Sequence, residues 1–196
     1  MYIFADLKRS GVSEKCKTAA GVRIGHVSLR VTDLDRAISF YCDVLGLSVI
    51  YYAPSIGIPT VFLAFGDYHH HVALTWFYNA GVGSKHSSHS GSNHFAIVYP
   101  DEMLFAKAVA RLLDHGGLID DARDHGSTLS VYLRDPDSNG IELYYDRPRN
   151  HWFDSAGELV IKSEPFDVRK WLKGVWAGAA NVVHDKTHFH SLEVAV

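Results

Sequence analysis

The stretch GHVSLRVTDLDRAISFYCDVLGL, Gly25–Leu47, decides the fold, because NHFAIVYPDEMLFAKAVARLLDHGG, Asn93–Gly117, repeats its design. Each begins with a short apolar strand introduced by a histidine, His26 in one and His94 in the other, and each strand runs into a helix. In the first helix Leu34, Ala37, Ile38, Tyr41 and Leu45 recur at helical spacing. Thr32 is expected to cap it, Asp33 and Asp35 suit its first turn, and Gly46 ends it. In the second helix Pro100 is the expected start, Phe105, Ala108, Val109 and Leu112 form the apolar stripe, and Gly116 and Gly117 stop it.

Strand-like segments follow each helix. After the first come LSVIYYA, TVFLAF and HHHVALTWFY; after the second come the region around Leu118, TLSVYLRD and GIELYYD. The turn DPDSNG, 135–140, is dense in turn-forming residues. Each half therefore spells β-α-β-β-β. The expected fold class is α+β: two βαβββ modules side by side, residues 22–79 and 91–147, forming a curved mixed-sheet cavity. Residues 1–20 form an N-terminal arm, 21–150 hold the paired modules, and 81–92 are a polar linker between them. Residues 151–196 carry Trp152, Trp171 and Trp176 but no third copy, and are expected to pack as a C-terminal extension on the core or on a partner subunit.

Composition narrows the function classes. A net charge of -3 over 196 residues is no footprint for nucleic acid, which needs a clustered basic surface. No run approaches the ~18 apolar residues of a membrane span, and MYIFADLKRSGVSEKCK lacks the apolar core of a signal peptide. Cys16 and Cys42 form no disulfide framework or zinc spacing, so a reducing cytoplasm is the expected location. Thirteen histidines with ten Tyr and ten Phe suggest a metal site in an aromatic pocket.

The repeat supplies the candidate ligands. His26 and His94 hold matching places on the first strands, so both could point into a shared cavity. Glu142 sits between Ile141 and Leu143 on a core strand, where a carboxylate is costly unless compensated. Aligning VALT with IELY puts Ala73 at the matching place in the first module. Two histidines and one carboxylate with no fourth ligand form a facial triad, the arrangement of non-haem iron(II) oxygenases.

At these residues the chain resembles the vicinal oxygen chelate superfamily of glyoxalases, fosfomycin-resistance proteins and extradiol dioxygenases. GHVSLRVTDLDRAISFYCDVLGL, GDYHHHVAL, NHFAIVYPD and YLRDPDSNGIELYYDRPRNHW carry the likeness, and the last is very similar to a segment of bacterial catechol 2,3-dioxygenases. The resemblance implies a metal on His26, His94 and Glu142, iron(II) or alternatively manganese(II). It implies His70 as acid and base, with strand alternation favouring His71 instead. It implies Tyr132 as a hydrogen-bonding group to a substrate oxygen, with His125 as a pocket residue. Glyoxalases add a ligand where this chain has Ala73, which favours a dioxygenase acting on a catechol-type diol and dioxygen. A glyoxalase-like or fosfomycin-resistance-like isomerase or transferase is the alternative. A homodimer or higher homo-oligomer is the expected assembly.

Overall fold

The computed structural model describes residues 22–53, 57–77 and 92–189, with side chains described to residue 179. The expected arm and nearly all of the linker lie outside the described residues. The first module runs β1 (Val27–Val31), α1 (Leu34–Ser39), a π-helical turn (Phe40–Val44), β2 (Ser48–Ala53), β3 (Thr60–Ala64) and β4 (Val72–Trp76). The second runs β5 (Phe95–Tyr99), α2 (Glu102–Asp114), β6 (Asp121–Gly126), β7 (Thr128–Arg134) and β8 (Gly140–Asp146). The extension adds a 3-10 turn (Arg149–His151), β9 (Ile161–Pro165) and α3 (Val168–Phe189).

The modules form two sheets of matching topology, β1-β4-β3-β2 and β5-β8-β7-β6-β9. In each the first strand pairs parallel with the last, β1 with β4 and β5 with β8, and the other ladders are antiparallel. The fifth strand of the second sheet comes from the extension, which lays β9 along β6. The α+β class with two sheet modules stands.

Several local expectations change. Asp33, not Thr32, caps α1, accepting from Arg36 N–H at 3.0 Å. Thr32 instead donates from N–H and hydroxyl to Asp137 Oδ1 in the turn before β8. Asp101 caps α2 in the same manner, so Pro100 stands just before the cap. The segment at Leu118 is no strand. Leu118 is 81% exposed, and the strand begins at Asp121, where apolar residues alternate too sparsely to announce it.

One apolar cluster holds both modules. Ala37, Tyr41 and Leu45 meet Phe105, Val109 and Leu112 of α2, backed by Leu63, Leu74, Val131 and Leu143 from the sheets. Polar ties cross the same seam. The buried Tyr41 hydroxyl donates to Asp135 Oδ2 at 3.0 Å. Arg111 donates to the Val44 and Leu45 carbonyls, which end the first helix without intrahelical partners. Among the described residues no helix is long and apolar enough to cross a membrane.

Candidate metal site

Strand register builds the site. Across the second sheet Ala96, Glu142, Tyr132 and Asp121 are successive cross-strand partners, so their side chains share one face. Across the first sheet the equivalent row is Ser28, Ala73, Phe62 and Tyr51. Ala73 therefore occupies the place of Glu142, and Phe62 that of Tyr132. Each candidate histidine lies two residues before the head of its row, on the same face.

The second sheet gathers four candidates. His94 Nε2 lies 3.1 Å from Glu142 Oε2. Tyr132 donates to the other carboxylate oxygen, Oε1, at 2.9 Å. His125 Nε2 is 2.9 Å from the Tyr132 hydroxyl. Burial first, then the hydrogen bond and charge of Glu142, push the Tyr132 phenol up to about 12. Gly140 brings β8 close to the start of β5: a Cβ there would overlap the Asn93 carbonyl oxygen beside His94.

His94, Tyr132 and His125 line a cavity of about 470 Å³ that also takes in Asp121, Arg123, Arg134 and Ser163. The cavity is polar. Arg123 pairs with Asp121 at 2.8 Å, and Arg134 with Asp120 at 3.1 Å. Sequence reasoning missed Asp121 and Arg123. Their alternation with His125 in DARDHG was the available signal, since residues two apart share a face.

The first sheet gathers His26 and His70. Their ring centroids are 4.4 Å apart, and His70 stacks on Phe62 at 4.5 Å. Burial first, then neighbouring His26, His69 and His71, lower the His70 pKa. His71 turns away and accepts from Phe65 N–H at 3.3 Å. Residues 69–71 precede β4, so strand alternation does not govern them.

His26 does not join His94 and Glu142. Among the described residues no group of three or more His, Cys, Asp or Glu is gathered to hold a metal ion. The His94–Glu142 pair nevertheless suits a divalent cation. Its donors are an imidazole and a carboxylate, and the carboxylate is 14% exposed between buried Ile141 and Leu143.

Comparison with known proteins fits this picture. The family model for the Glyoxalase/Bleomycin resistance protein/Dioxygenase superfamily matches residues 23–143. The catechol-2,3-dioxygenase of Bacillus subtilis is 36% identical over 152 residues, covering 76% of this chain and 51% of that protein. The biphenyl-2,3-diol 1,2-dioxygenase 3 of Rhodococcus globerulus is 32% identical, covering 63% of each. The chain thus spans from about half to just under two thirds of the length of these two relatives. The lactoylglutathione lyase of Haemophilus influenzae is 33% identical, covering 62% of this chain and 91% of that one. Among solved structures, a glyoxylase/bleomycin resistance protein/dioxygenase domain from Frankia shares the fold, with a TM-score of 0.57 at 17% identity, covering 64% of this chain and 98% of that one.

Proposed function

Because the chain belongs to the Glyoxalase/Bleomycin resistance protein/Dioxygenase superfamily, we propose that it is a metal-dependent extradiol dioxygenase that cleaves a catechol-type aromatic diol with dioxygen. The observation that carries this reading is the alignment of His94, Tyr132 and His125 on one polar cavity wall, with Glu142 joined to His94 and Tyr132. The metal is iron(II), with manganese(II) as the alternative, held by His94 and Glu142 together with His26. Since His26 stands apart within the chain, we assign the third ligand to a second copy in a homodimer. His26 then brings His70 with it.

A divalent cation so held would lower the pKa of a diol hydroxyl brought against it. Tyr132 and His125 orient the diol oxygens. His70, with its pKa lowered, is poised as a neutral base that accepts and returns a proton. Arg123 and Asp121 border the ring. The ring carbon–carbon bond beside the diol breaks, and both atoms of dioxygen enter the product. The ring supplies all the electrons, so no further reductant is required.

The test is aerobic incubation of iron(II)-loaded protein with a panel of catechols. Stoichiometric oxygen uptake and a yellow ring-opened product are expected. Iron-replete protein that consumes no oxygen with any catechol sinks the reading. The similarity to lactoylglutathione lyases makes isomerisation of a thiol adduct the second reading, and that reaction consumes no oxygen.

A further inference from the structure

Strand β9 belongs to neither repeat, yet it reaches into the cavity wall. It pairs with β6 in a register that shifts between Asp124 and Gly126, so the irregularity falls on His125. Such a bulge re-aims the side chain it carries. Here it sets His125 with Nδ1 2.9 Å from the Lys162 carbonyl of β9 and Nε2 2.9 Å from the Tyr132 hydroxyl. The strand is fastened on both sides of this contact. Lys162 Nζ pairs with Asp124 at 3.3 Å. Gly126, at φ +85°, leaves room for Val160, whose Cγ1 would stand 2.6 Å from any Cβ there.

We propose that β9 is a positioning element of the site: the main-chain carbonyl of Lys162 fixes the Nδ1–H tautomer of His125 and so turns a bare Nε2 toward the Tyr132 hydroxyl, as a second acceptor for its one hydrogen. The argument is a count of hydrogens. A carbonyl only accepts, so the hydrogen in the Nδ1 contact belongs to the ring. A neutral imidazole then has a bare Nε2. Tyr132 has one hydrogen and two acceptors at 2.9 Å, His125 Nε2 on one side and Glu142 Oε1 on the other. The phenol proton is held between them, and the acceptor that carries more charge takes it. With the opposite tautomer Nε2 would itself donate to Tyr132, and the Lys162 carbonyl would face a bare nitrogen. The C-terminal extension thereby makes His125 Nε2 a second acceptor that competes with Glu142 for the Tyr132 proton.

The chemical consequence rests on the dioxygenase reading, but the tautomer does not. Nitrogen-15 NMR of the full, metal-free chain at about pH 8.5 reads it directly, with the His125 signals assigned by their loss in His125→Gln. A hydrogen on Nδ1 and a bare Nε2 are expected. A bare Nδ1, or a doubly protonated ring at that pH, overturns the proposal. Gly126→Ala, which pushes Val160 and β9 outward, should move His125 toward the Nε2–H form. It should also lower kcat about tenfold to a hundredfold with little change in KM. An unchanged tautomer in folded Gly126→Ala also overturns it, while wild-type NMR decides the matter if that variant does not fold. The expected tautomer without diol cleavage would leave β9 in its role and remove the dioxygenase reading. Cleavage with a bare Nδ1 would do the reverse.

Discussion

Tyr132 and Glu142 face each other across the β7–β8 ladder, and the phenol hydroxyl donates to the carboxylate at 2.9 Å. Partners of this kind orient a metal-binding carboxylate, and their loss commonly costs about 10–100-fold in metal affinity. Tyr132→Phe removes only the hydroxyl, so the packing against His94 is retained. The variant should fold normally and bind iron(II) or manganese(II) about tenfold to a hundredfold more weakly, by competition with a chelator. Unchanged affinity would show that Tyr132 does not orient Glu142.

Gly140 makes a prediction about backbone approach. The start of β8 lies so close to Asn93 and His94 that a Cβ would meet main-chain atoms, which cannot swing aside. Gly140→Ala should therefore displace the start of β5 and cost about 1–3 kcal/mol of stability. Metal affinity should fall further than in an exposed control such as Gly157→Ala, where a Cβ meets nothing within 4 Å. Equal affinity in the two variants would separate His94 from the β5–β8 approach.

Asp124 links the core sheet to the extension, and its effect depends on pH. Burial raises its pKa, but the Gly126 N–H, Arg147 and Lys162 together bring it below the ordinary 3.8. A depressed folded pKa adds stability above the unfolded value and loses it as pH falls through the folded one. Asp124→Asn should lower Tm by roughly 2–4 °C at pH 7. The gap to wild type should narrow as pH falls below the ordinary 3.8 and close only below the depressed folded value, where both carry a neutral group. A gap that does not narrow at all between about pH 4 and pH 2 would trace the loss to packing instead of charge.

The repeat was legible because hydrophobic period and histidine placement agree in both modules, and strand register then placed Ala73 opposite Glu142 in kind. The helix caps were each misplaced by one residue, since Thr32, Asp33 and Asp101 are all competent and only tertiary partners choose among them. Asp137 claims Thr32 and leaves Asp33 for the cap. Strand β9 gave no signal: IKSEP has four exposed residues of five and is held by the edge of β6, not by its own pattern. That His70 lies beside His26 while His71 meets Phe65 was likewise illegible, since a turn that no periodicity describes sets it. The separation of His26 from His94 was illegible for a different reason. A repeat fixes which residues are equivalent, but the packing of one copy on the other fixes which are neighbours.

That separation yields the sharpest test of the ligand assignment. If the third ligand comes from a second copy, His26→Ala and Glu142→Ala damage different halves of each composite site. Either variant alone should lose stoichiometric metal. In a mixed dimer one site carries both substitutions and the other carries neither. Random subunit exchange makes about half of the dimers mixed, each with one intact site of two, so about a quarter of wild-type metal and activity should return on mixing. Mixing His94→Ala with Glu142→Ala should restore nothing, because both residues belong to the same half. If the three ligands meet within one chain, neither mixture recovers any metal. Recovery by the second mixture would break the pairing of His94 with Glu142.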